Sequence, residues 1–101
     1  MSKRRRSIDP EFVEWLQSEK NLKERSSRDV RSHLLRADEI IDVDDMTLRE
    51  PEVTYGLSKS EKYQELPSST KSHLKRAVRL YKEYLAEKWK DVNKKIFNLF
   101  W

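Results

Sequence analysis

Residues 66–89 read Leu66-Pro67-Ser68-Ser69-Thr70-Lys71-Ser72-His73-Leu74-Lys75-Arg76-Ala77-Val78-Arg79-Leu80-Tyr81-Lys82-Glu83-Tyr84-Leu85-Ala86-Glu87-Lys88-Trp89. The opening is helix-start chemistry: Pro67 suits a first-turn position, and the hydroxyls of Ser68, Ser69 and Thr70 suit the orphan backbone N–H groups of a helix end. Leu74, Val78, Tyr81, Leu85 and Val92 then recur at three- and four-residue steps, which places them on one helical stripe. A second stripe beside it carries Lys71, Lys75, Arg79 and Lys82, with Arg76 close by. The apolar stripe must bury against other helices. The basic stripe stays outside, either as a solvated face or as a surface for a polyanion.

The composition agrees with a helical chain. In 101 residues there are one glycine and three prolines, 40% charged and 36% hydrophobic side chains. Few breakers and many Lys, Glu, Arg and Leu favour helix, whereas strands want β-branched residues and turn dipeptides. Ten per cent aromatics, three of them tryptophan, argue against disorder at this charge. There is no cysteine, so disulfides and thiolate metal sites are excluded. No apolar run approaches the ~20 residues that span a bilayer, and no leader pattern is present. The expectation is a soluble cytoplasmic protein needing no cofactor.

Net charge is +4, and it is segregated: +4 over residues 1–36, −6 over 37–66 and +6 over 67–101. If the first and last thirds pack side by side, they form one positive face with the acidic segment turned away, which suits a polyanion on one side.

In chain order, Lys3, Arg4, Arg5 and Arg6 form a short basic arm (residues 1–8), either a solubilising terminus or a strand laid along phosphates. Asp9-Pro10 predicts a helix to about Lys20, burying Phe12, Val13, Trp15 and Leu16. After a break at Asn21-Leu22-Lys23, a second helix is expected from Glu24 to Ile41 on the stripe Val30, Leu34, Ala37, Ile41. Its first turns carry Arg25, Ser26, Ser27, Arg28 and Arg31, side chains suited to phosphate or base-edge contact and equally to a plain helix start.

Residues 42–57 form an acidic connector. Asp42, Asp44 and Asp45 lack the spacing and turn glycine of a calcium loop, so a solvated loop and no metal is the reading. A short helix is expected from Pro51 to Gly56, capped by that glycine. Ser58-x-x-Glu61 matches a capping box and predicts another short helix through Glu65, burying Tyr63 and Leu66. Beyond Pro67 nothing breaks helix. The end, Ile96 to Trp101, is apolar: it packs onto the chain's own core, or meets a second copy or a further domain through Phe97, Phe100 and Trp101.

Two phrases nearly repeat: Arg31-Ser32-His33-Leu34-Leu35-Arg36-Ala37 and Lys71-Ser72-His73-Leu74-Lys75-Arg76-Ala77. Two helices presenting like surfaces would grip a duplex together. Each phrase also contains His-x-x-Arg, and Tyr81 or Tyr84 follows the second. These are the tools of covalent strand transfer, but Tyr81 falls on the buried stripe and no separate scaffold surrounds a phosphate.

The chain resembles the core-binding domain of tyrosine recombinases, the phage-integrase-like proteins. Leu22-Lys23-Glu24-Arg25-Ser26 with Val30 and Leu34 matches the opening of that domain's second helix, where Lys23 stands in place of the favoured serine. Ser68-Ser69-Thr70, then Ala77-Val78-Arg79, Tyr81 and Tyr84-Leu85 match its later long helix. The resemblance covers about residues 9–88. It implies an all-α bundle of four to five helices with a SAM-like fold over residues 9–90, and a helical extension over 91–101. It also implies a module that clasps duplex DNA without cutting it, since the family's catalytic domain is absent. Carried onto matching positions, it nominates Ser26, Ser27, Arg28 and Arg31, and Ser69, Thr70, Lys71, His73, Lys75 and Arg76, to which the basic stripe adds Arg79 and the first turn Arg25. The rival expectation is a helical protein-interaction module that self-associates through the apolar tail.

Overall fold

Every described segment with helical periodicity forms a helix, and no strand occurs among the described residues. The computed structural model describes residues 8–45 and 47–99, with side chains described through Lys88. Five helices follow in order: α1 (Glu11–Glu19), α2 (Glu24–Asp38), α3 (Glu50–Lys59), α4 (Glu61–Gln64) and α5 (Ser68–Leu99). The expected all-α architecture of four to five helices is what the chain adopts.

The α1 start follows its sequence signal. Asp9 Oδ1 accepts the Glu11 N–H at 3.0 Å, and the Asp9 carbonyl accepts that of Phe12. Pro10, with φ −63°, has no N–H to lose there. The break after α1 turns on Asn21, whose φ of +56° is a left-handed conformation that asparagine tolerates better than most residues. Leu22 then returns its N–H to the Leu16 carbonyl.

α2 starts without a capping side chain. Lys23 is extended at the cap position, the ordinary cap conformation, but has no side-chain oxygen to offer, and Ser27 spends its hydroxyl on the Lys23 carbonyl at 2.9 Å. The helix closes at Asp38, and the backbone turns through Ile40 and Ile41, both still bonded to the Ala37 carbonyl.

The central segment departs from expectation in three places. The connector is not a solvated loop: Val43 is fully buried, its N–H donates to the buried Asp38 carboxylate, and Asp44 is half-buried. Burial of one valine gives the connector an apolar anchor that its aspartates mask in the sequence. Second, α3 does not stop at Gly56 but continues to Lys59. A Cβ at position 56 would lie 2.4 Å from Ile41 Cδ1, so the glycine makes room for a packed side chain rather than capping a helix. Third, Ser58 opens nothing. It lies inside α3 with its hydroxyl on the Thr54 carbonyl, and α4 is a single turn beginning after Ser60. The reciprocal carboxylate of a capping box is found instead at Glu52, which accepts the Arg49 N–H at 2.7 Å at the start of α3.

One core unites these elements: Phe12 and Leu16 of α1, Val30, Leu34 and Ala37 of α2, Val43, Val53 and Leu57, Tyr63, and Leu74, Ala77, Val78, Tyr81, Tyr84 and Leu85 of α5. α5 packs most extensively on α2 and less on α3 and α1. The stripe Leu74, Val78, Tyr81, Leu85 is buried as expected, while Val92 lies outside the described side chains.

Candidate nucleic-acid interface

α2 and α5 meet through matching phrases. Leu34 and Leu74 are buried, as are Ala37 and Ala77, while Ser32 and Ser72, and Arg36 and Arg76, are exposed in both. The imidazoles of His33 and His73 come together, ring centroids 4.8 Å apart and planes inclined by 24°. The near-repeat therefore contains a contact: the equivalent histidines of the two phrases meet at the seam between the helices.

Around that seam the nominated residues divide. Arg25, Ser26, Arg28 and Arg31 are exposed on α2, with Arg28 paired to Glu24 one turn back at 2.6 Å. Ser69, His73, Lys75, Arg76 and Arg79 are exposed on α5, and Thr70 is half-buried. Lys71 is half-buried and sits over the Tyr63 ring, 5.9 Å from its centroid. Ser27 is corrected. It is fully buried and bonded to the Lys23 carbonyl, because the fourth residue of this helix faces the core three steps before Val30. Lys3, Arg4, Arg5 and Arg6 lie outside the described residues, and so do the side chains of Phe97, Phe100 and Trp101.

Lys82, the last cation of the basic stripe, leaves the free surface. Its Nζ donates to the Asp45 carbonyl at 3.0 Å. Burial lowers its pKa against the pull of Asp44 and Asp45. The acidic connector is thus not turned away from α5 but clasps its middle, and the free cations are those before it. Beyond Arg79 an open recess of about 390 Å³ is bordered by Leu48, Arg49, Lys82 and Leu85. It brings Arg49, exposed and not nominated from sequence, to the end of the same basic row.

Tyr81 is fully buried. Its hydroxyl accepts the Asp9 N–H at 3.1 Å and donates to Asp44 Oδ1, and burial together with the Asp44 carboxylate pushes the phenol far above its ordinary value. Tyr84 donates to Asp9 Oδ2 at 2.7 Å. The Tyr81 hydroxyl therefore ties both the start of α1 and the connector to α5, and that of Tyr84 ties the start of α1. Among the described residues, no three His, Asp or Glu side chains group as metal ligands would, and no helix is long and apolar enough to cross a membrane.

His33 and Arg36 were not nominated from the sequence, although the near-repeat contained the signal: whatever His73 and Arg76 do, their counterparts share. Burial, His73 and Arg36 lower the His33 pKa below the usual imidazole value, against the opposite pull of Asp29. No family model, no curated protein and no solved structure matches this chain.

Proposed function

We propose that this chain is a non-catalytic duplex-DNA-binding module that holds the phosphate backbone across the seam of α2 and α5. The observation that carries the reading is the pairing of two like helix surfaces with their cations outward. Arg25, Arg31 and Arg36 on one side and Lys75, Arg76 and Arg79 on the other are exposed, while the apolar stripes beneath them pack together. Lysine and arginine would release counterions from the backbone and supply most of the affinity. Ser26, Ser69 and His73, exposed among them, add the short donors that fix register or read base edges. The resemblance to the core-binding domain of tyrosine recombinases supports the same reading, with the same two helices on the DNA.

The test is fluorescence anisotropy with random-sequence duplex at two salt concentrations, comparing wild type with the triple variant Lys75→Ala, Arg76→Ala, Arg79→Ala. All three side chains are exposed, so circular dichroism should be unchanged. Affinity should fall about tenfold or more in the variant, and the log–log salt slope should become shallower by about 0.9 for each phosphate contact removed. Binding that ignores salt, or an unaffected triple variant, would refute the reading.

A further inference from the structure

We infer that His33 and His73, with Arg36 and Arg76 one turn beyond each, form a phosphate seat that takes up a proton when duplex DNA binds. This rests on the DNA-binding reading and specifies where on that face a backbone phosphate sits.

The phrases place two imidazoles in contact at the seam, 4.8 Å between centroids, with His33 half-buried and His73 exposed. Residues three apart on a helix share a face, so each imidazole has a guanidinium beside it, Arg36 on α2 and Arg76 on α5. Both guanidiniums are exposed. The charged groups facing the pair are therefore Arg36 and Asp29 on α2 and Arg76 on α5, one carboxylate against two fixed cations. Such surroundings disfavour a metal cation and favour an anion. A phosphodiester oxygen accepts well from the planar guanidinium fork and from an imidazolium N–H.

In the free protein Arg36 works against protonation of His33, opposed by Asp29. His33 is partly desolvated, has His73 against it and Arg36 beside it, and all three disfavour its charged form. A bound phosphate reverses that balance, because a negative charge within a few ångströms stabilises imidazolium. Over the pH range between the free and bound pKa values, binding must therefore draw a proton from solution, and affinity must rise as pH falls.

Isothermal titration of the full chain with a short duplex, in two buffers of different ionisation enthalpy near pH 7, reads proton uptake directly. The result expected is an uptake of about 0.3–1 proton per complex, with affinity several-fold higher at about pH 6 than at about pH 7.5. The His33→Gln variant, its fold checked by circular dichroism, should bind DNA more weakly than wild type, still with salt dependence, and lose most of the uptake. Salt-dependent binding with no proton uptake, or uptake unchanged in His33→Gln, would overturn the seat while leaving the DNA-binding reading in place. Absence of binding at any pH would remove both.

Discussion

Tyr81 stands where three segments meet. Its ring packs against Phe12, centroids 5.0 Å apart in an edge-on arrangement, and its hydroxyl joins the start of α1 to the connector through the Asp9 N–H and Asp44. The other Asp44 oxygen, Oδ2, is buried with no hydrogen-bond partner among the described residues, so the carboxylate depends on the tyrosine. Tyr81→Phe keeps the ring and removes that donor, leaving a desolvated carboxylate and an unsatisfied N–H. Urea unfolding at neutral pH should show a loss of about 1–3 kcal/mol, near the cost of stranding a buried polar partner. A loss below about 0.5 kcal/mol would mean that water replaces the hydroxyl. That Tyr81 is buried was legible in the spacing of the stripe. Its partners were not, because Asp9 and Asp44 are 72 and 37 residues away and no local pattern encodes such pairing. Gly56 makes the same point. Read locally it is a helix stop; in the fold it is a gap for Ile41.

At the scale of elements, α1 is fastened to α5 by polar contacts along its length. Asp9 receives Lys88 and Tyr84, Trp15 donates to Glu87, and Lys20 pairs with Glu83. Burial pushes the Asp9 carboxyl up, but hydrogen bonds from Lys88, Tyr84 and the Glu11 N–H outweigh it and hold the pKa below the ordinary 3.8. The folded state thus prefers the carboxylate, and its contribution is present above about pH 4 and lost as pH falls through the lower, folded value. Asp9→Asn should be less stable than wild type at neutral pH, and its stability should fall less steeply below pH 4. Parallel acid limbs in denaturation series would show that other carboxylates set the acid response. Helix existence was legible throughout, from Asp9-Pro10, from the Val30–Leu34–Ala37 stripe and from Pro67 onward. Boundaries inside 42–66 were not, since Ser58 and Gly56 carry start and stop chemistry that tertiary packing overrides.

For the whole molecule, the partition of charge along the chain becomes a partition in space with one exception. The basic first and last thirds do come together, as α2 on α5. The acidic middle, however, closes on α5 at Tyr81 and Lys82 and covers the end of the basic stripe. All seven α5 side chains nominated for DNA, Arg79 among them, stay at least partly accessible, and Ser27 alone is withdrawn from the α2 set. The candidate site was visible in the sequence as a list of cations. Its centre was not, because the meeting of His33 with His73 depends on how the two helices cross.

If duplex DNA lies across the α2–α5 seam, as proposed, nitrogen-15 NMR of the full chain titrated with a short duplex reads that position residue by residue. The largest amide shifts should fall on Arg25–Arg36 and Ser69–Arg79, with Glu11–Ser18 on the outer side of α1 nearly unmoved. Shifts concentrated on α1, or on the acidic connector with the α2–α5 seam silent, would contradict it.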